Sequence, residues 1–421
     1  MLLHFRMSNY RSFKDETILD LSSSSVSEFS NTLIKLGRKK YLPTAIVFGA
    51  NAGGKSNLMT AFDTMISIVR DSLSYRSMDN EPWKSIINFY IPGYSPFAFD
   101  QETQNKETEF ETWFTVPYHG REIILNYGFS WDGGSIHEEW LYRKSISASD
   151  YQPVFTRNGM SVEYYSDDIN RRIQASIQDG MAEQVLISSF GSIFSCEILQ
   201  VVYRFFVSSQ VLGAETEGQI RLPRDFMTDQ HVRDSVLSYL QVFDRSIIGF
   251  DIDETTQYRE PYRNVKTLHR MNASDKIGKI PLEEESAGTL KVFSLYQNLI
   301  DALEKGSVLW IDEINSHLHP LLVRSFILNF IKPELNPKHA QLIATTHDSW
   351  MLESGILRRD EIWFTEKDDD GKSILYSLTD FKDQDGGRVR KDDQIANNYL
   401  LGIYGAVPNL NSFFVSRERK E

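Results

Sequence analysis

Gly49-Ala50-Asn51-Ala52-Gly53-Gly54-Lys55-Ser56, placed directly after the apolar run Ala45-Ile46-Val47-Phe48, is the stretch that decides how this chain is read. It fits the phosphate-loop spacing G-x-x-x-x-G-K-[ST]. A buried strand ends, a glycine-rich turn lets backbone N–H groups close around phosphate, and a helix begins with its positive end aimed at that anion. Leu58, Phe62, Met65 and Val69 follow at helical spacing and supply the helix. The residues expected at a nucleotide are therefore Gly49, Asn51, Ala52, Gly53, Gly54, Lys55, Ser56 and Asn57. Lys55 would neutralise the β- and γ-phosphates of ATP, and the Ser56 hydroxyl would be a ligand of Mg²⁺.

Three downstream segments extend this chemistry. Ser307-Val308-Leu309-Trp310-Ile311-Asp312-Glu313 is an apolar run that delivers two carboxylates at a strand's carboxyl end, where ligands of α/β sheets bind. Asp312 is expected to hold the Mg²⁺ through water, and Glu313 to take the proton of an attacking water as catalytic base. Gln341-Leu342-Ile343-Ala344-Thr345-Thr346-His347 is a second strand with a polar end, from which His347 can reach a γ-phosphate. Ser286, Gly288 and Thr289 open a helix whose apolar face is Val292, Phe293, Tyr296, Leu299, Ile300 and Leu303. A hydroxyl, free N–H groups and a helix dipole there form another anion nest.

The order phosphate loop, Ser-x-Gly helix, Asp-Glu strand and His strand resembles the ABC-type ATPase head of SMC, RecF and OLD proteins. The resemblance implies an α/β fold: a mixed sheet with the phosphate loop, an antiparallel β subdomain and an inserted helical lobe. It implies a homodimer or higher homo-oligomer in which two heads sandwich ATP. Ser286 to Thr289 of one subunit would then face the γ-phosphate held by Gly49 to Ser56 of the other. Asn9-Tyr10-Arg11-Ser12-Phe13 is similar to the N-terminal turn of the RecF/SMC group, which would put Arg11 near the nucleotide. Tyr94-Ser95-Pro96-Phe97 stands where that family carries its Q-loop. Arg359 to Lys367, Leu375 to Leu378, Val389 to Asp392 and Tyr399 to Pro408 resemble compact bacterial phage-defence ATPases of the RloA, AbiL and AriA type. Such a protein is expected to control a separately encoded effector, a nuclease of the TOPRIM or another kind.

Composition sets the limits. The 421 residues allow two or three domains, and a single cysteine, Cys196, excludes a disulfide framework. With no signal-peptide pattern at the N-terminus and no apolar run of membrane-spanning length, a cytoplasmic protein is expected. A net charge of −13 disfavours a general nucleic-acid coat, leaving Arg263 to Arg270 as the segment best suited to DNA, RNA or an acidic partner. Domain limits are read as 1–150 (phosphate-loop part with antiparallel strands), 151–275 (helical insertion) and 276–421 (remaining head). Candidate helices in the insertion are 167–178, 182–190, 193–209 and 229–243. Glu366, Asp368 and Asp370 imitate a nuclease metal set but sit at a turn, and His317 and His319 read as loop residues. A defence-system switch, a RecF-like repair ATPase and an ATP-bound scaffold with little turnover are the functions this leaves.

Overall fold

The computed structural model describes residues 1–75, 93–213, 220–253, 260–271, 276–382, 387–390 and 393–408. The chain begins with β1 (Leu2–Ser8), β2 (Thr17–Asp20), the small hairpin β3 (Ile34–Leu36) and β4 (Lys39–Tyr41), then β5 (Thr44–Phe48) and α1 (Lys55–Tyr75). Next come β6 (Thr108–Tyr118), β7 (Arg121–Trp131), β8 (Ile136–Ser145), β9 (Gln152–Asn158) and β10 (Ser161–Tyr165). They form an antiparallel sheet in the order β10-β9-β8-β7-β6-β1-β2. Alternating aromatic and β-branched residues produce these strands. Asp132 Oδ1 caps the β7–β8 turn by accepting the N–H groups of Gly134 and Ser135.

Past β10 the chain forms α2 (Arg171–Gly180), α3 (Glu197–Ser208), β11 (Gln210–Leu212), α4 (Gln230–Leu240), β12 (Ile247–Ile252), β13 (Val265–Arg270), β14 (Ile277–Pro281) and α5 (Ala287–Lys305). It finishes with β15 (Val308–Ile311), α6 (Pro320–Ile331), β16 (Gln341–Thr346), α7 (Trp350–Glu353), β17 (Ile362–Lys367), β18 (Ser373–Ser377) and α8 (Ile395–Leu400). The second large sheet runs β11-β15-β16-β5-β17-β18, parallel except for β18. The His347 strand thus lies between the phosphate-loop strand and the acidic strand. Such continuous apolar runs are what a sheet buried on both faces requires. Ala45 and Val47 enter the core shared with α1, α3 and the antiparallel sheet, while Ile46 and Phe48 enter a second core with α5, α6 and α8. Gln341 links the two sheets: its buried side chain accepts the Leu2 N–H at 2.6 Å and donates to the carbonyls of Leu2 and Leu42, each at 3.0 Å.

The segment read as a helical insertion divides differently. Residues 152–165 are strands of the antiparallel sheet, α3 packs in the main core with Phe205 stacked on Phe114 at 4.0 Å, and β11 joins the parallel sheet. Residues 182–190 are not an α-helix; only a 3₁₀ turn forms, at Ser188–Ser192. The buried Glu139 carboxylate accepts the N–H groups of Ile187 and Ser188, and Ser72 Oγ accepts that of Leu186. Side-chain acceptors therefore supply bonds that a helix would have made, and a short apolar run does not reveal this by its periodicity. A separate small core remains at Phe226, Val236, Leu240, Ile247 and Val265, closed by Val292 and Phe293 of α5. Farther along α5, Leu295, Leu299 and Ala302 enter the second core, so one helix joins lobe and head.

Candidate functional site

The phosphate loop is shaped from outside by β17 and β18. A Cβ on Gly49 would collide with the Thr365 carbonyl, and one on Gly53 would come to 3.0 Å of it. Gly54 has φ +120°, and a Cβ there would meet Ser373 Oγ at 2.6 Å. The glycines are therefore needed both for backbone conformation and for the approach of a neighbouring hairpin. Ser373 Oγ lies 2.9 Å from the Gly53 carbonyl and 2.8 Å from Ser12 Oγ, which itself accepts the Asn57 amide at 2.7 Å. Ala50, Asn51, Ala52, Gly54, Lys55, Ser56, Asn57, Glu313 and Lys367 line a cavity of about 360 Å³ over the start of α1.

Inside it, Lys55 is almost fully buried and donates to the carbonyls of Gly49 at 2.9 Å and Ala50 at 3.3 Å. Its ammonium also pairs with Glu313 Oε1 at 3.5 Å. The other Glu313 oxygen meets His347 Nδ1 at 2.8 Å. Glu313 has φ +48°, an uncommon conformation for a side-chain-bearing residue, and this turns its carboxylate back into the cleft. Its N–H is held by Thr345 Oγ1 at 2.8 Å, and that hydroxyl donates to Asp312 Oδ1 at 2.5 Å. Thr345 thus fixes both acids.

The neighbouring Thr346 fixes the histidine. Its hydroxyl donates to Asn315 Oδ1 at 2.7 Å, which turns the Asn315 amide nitrogen toward His347 Nε2 at 3.3 Å. Nε2 is then an acceptor, so the proton sits on Nδ1 and is donated to Glu313.

The structure brings Lys55, Ser56, Asp312, Glu313 and His347 to one end of the parallel sheet. Ser56 and Asp312 offer the hard oxygen donors that suit Mg²⁺. Arg11 reaches the first turn of α1, 3.5 Å from both Asn57 Oδ1 and Thr60 Oγ1, but it does not line the cavity. Its N–H donates to the Ser95 carbonyl at 2.6 Å, which ties the 94–97 segment to the same turn. Ser286, Gly288 and Thr289 are not brought to the cavity within this chain. Ser286 is exposed and caps α5 by accepting the Thr289 N–H at 3.1 Å. Gly288 packs on the loop after the acidic strand, where a Cβ would stand 2.9 Å from the His317 carbonyl.

Other sequence candidates take structural roles. His319 caps α6. Glu366 accepts the Ala406 N–H, and Asp368 accepts the N–H groups of Asp370 and Lys372 across a turn. Arg263 pairs with Glu260 and Glu283, and His269 with Glu285, so acids lie against the basic run. Lys391, Asp392 and the basic residues 417–420 lie outside the described residues. Sequence reasoning missed Asn315, Ser373 and Lys367. The register of β17, where Thr365 faces the phosphate loop and Lys367 follows at i+2, was the available signal for the last.

Residues 45–349, well over half of the chain, match the family described as "AAA domain, putative AbiEii toxin, Type IV TA system". The chain belongs to this family. This is a family of AAA-type P-loop ATPases, and the chain has a mixed α/β fold. Among solved structures it is similar to the SMC head domain from Thermotoga maritima, at 17% identity and a TM-score of 0.39, covering 89% of this chain and 98% of that one. The comparison with curated proteins gave no match. Among the described residues, no helix of this AAA-domain protein is long and apolar enough to cross a membrane.

Proposed function

We propose that this protein binds ATP with Mg²⁺ in the Lys55 cleft and hydrolyses it as a head-to-head homodimer, its nucleotide state controlling a separately encoded effector. The observation that carries the reading is the bridge Lys55–Glu313–His347. A general base for water must stand beside the γ-phosphate, and Glu313 stands between the phosphate-loop lysine and the switch histidine. When ATP enters, its phosphates compete for the Lys55 ammonium, and Glu313 is released to accept a proton. Ser56 and Asp312 would hold the divalent cation, which would offset phosphate charge.

Dimerisation is supported by the exposed Ser286 helix start, which does not line the cavity over α1 in its own chain. Control of an effector in phage defence rests on the toxin–antitoxin wording of the family description and on the resemblance of the C-terminal segments. The test is phosphate release and solution mass of the purified chain with Mg²⁺ and ATP. Mg²⁺-dependent turnover with an ATP-linked rise from monomer to dimer is expected. Turnover without any change in mass would sink the dimer, and neither response would sink the ATPase reading. Co-expression with the adjacent gene, with phage challenge as readout, tests the effector relationship.

A further inference from the structure

We infer that Lys367 is a second cation of the nucleotide site, contacting the α/β end of the phosphate chain from the side opposite Glu313. The inference deepens the ATP-binding reading and rests on it. β17 alternates along its length: Glu366 turns toward the C-terminal segment and accepts the Ala406 N–H, whereas Thr365 and Lys367 share the other face. Thr365 on that face touches Gly49 and Gly53, and the cross-strand partner of Lys367 is Ser373, the residue held against Gly53. Lys367 is thereby fixed beside the phosphate loop by two strands rather than by a loose tail, and it lines the same cavity as Lys55 and Ser56.

Its charge meets no partner among the described residues. Lys55 is engaged by Gly49, Ala50 and Glu313, and Lys372 by Asp15, but no hydrogen bond or ion pair of the Lys367 ammonium is found among the described residues. An exposed ammonium at the mouth of an anion cavity favours a phosphate ligand. Sheet order assigns which phosphate. β16 lies on one side of β5, with β15 and Glu313 beyond it, and β17 lies on the other. Hydrolysis requires the γ-phosphate at Glu313, so the opposite flank meets the α- and β-phosphates.

The experiment is fluorescence titration of the full chain with N-methylanthraniloyl ATP and ADP, comparing wild type, Lys367→Met and Lys367→Arg over a range of salt. Because the contact involves phosphates common to both nucleotides, Lys367→Met is expected to weaken ATP and ADP alike, by about five- to tenfold, with a shallower salt dependence. Lys367→Arg is expected to stay within about twofold of wild type, since it keeps the charge. Unchanged affinities in Lys367→Met overturn the inference, and so does a loss confined to ATP, which would move the contact to the γ-phosphate. Wild-type protein that binds neither nucleotide overturns the ATP reading itself, a different result from wild-type binding indifferent to Lys367.

Discussion

The two helix starts read from the sequence as anion nests differ in how much structure closes around them. At α1, the phosphate loop, two β17–β18 residues, the acidic strand and the histidine strand all converge, and Lys55 is buried among them. At α5, Ser286 satisfies its own helix and otherwise faces solvent. The same local device, a hydroxyl and free N–H groups at a helix N-terminus, is thus a finished cradle in one place and a bare edge in the other. The difference teaches that helix-start chemistry becomes a site only where neighbouring strands close around it. The bare edge suits a surface that a second copy completes.

The largest effect is expected on the finished side. Glu313→Gln is expected to lose about 10²–10⁴ in turnover while nucleotide affinity persists, because the amide keeps its shape but not its basicity. Single-turnover phosphate release and a binding titration on one preparation separate these quantities. Near-normal turnover would remove Glu313 as the base.

A test of the bare edge comes next. Gly288 is a poor probe, since any side chain there presses on the His317 carbonyl within its own chain. Ser286→Asp keeps a good helix cap but puts a carboxylate where a partner's γ-phosphate would lie. About a hundredfold loss of turnover is expected, with ATP-linked dimers gone and ATP binding by the separate head retained. Mixing it with Lys55→Ala subunits leaves one intact composite site per mixed dimer, so partial activity is expected to return. No rescue despite proven mixing would argue that both sites must act together or that Ser286 faces no nucleotide.

Two smaller effects concern stability. Beneath the phosphate-loop strand, burial pushes the Glu361 carboxyl up to about 8, although the Arg358 N–H that it accepts at 2.8 Å favours its ionised form. The native state then keeps a proton that the unfolded chain loses above its ordinary value of 4.5. Stability from this group is complete below that value, falls as pH rises through the interval and levels off above about 8. Glu361→Gln is expected to gain melting temperature relative to wild type steadily from pH 5 to 8 and no further beyond. A difference flat across that range would refute the assignment. Ser286→Ala is expected to cost about 1 kcal/mol through the lost cap. Denaturant unfolding measures it, and a much larger loss would mean that Ser286 is more than a cap within its own chain.

Much of the site was legible because its parts announce themselves locally. A fully apolar strand followed by Gly49 to Ser56, or ending in Asp312-Glu313 or Thr345-Thr346-His347, states both its burial and the end where its chemistry emerges. The antiparallel strands 108–145 were legible from alternation and the Asp132-Gly133-Gly134 turn. What stayed hidden depends on partners distant in sequence. Residues 182–190 looked helical until Glu139 and Ser72 claimed their N–H groups. Asn315 and Lys367 are ordinary residue types whose meaning comes from what β16 and β5 place opposite them. Arg11 was expected near the nucleotide by resemblance alone; its guanidinium lies along the first turn of α1, beside the cavity-lining Asn57.

Gln341 carries a consequence for how the molecule opens. One amide satisfies the main-chain groups of Leu2 and the Leu42 carbonyl while its own backbone belongs to β16, the strand that ends just before His347. Separating the sheets would strand several buried polar groups at once, each costing about 1–3 kcal/mol. Local fraying at this junction is therefore suppressed, and amide protons at Leu2 and along β16 are expected to exchange together, in a shared cooperative unit. A nucleotide that tightens the catalytic end would then slow exchange at the chain's second residue, far from any phosphate.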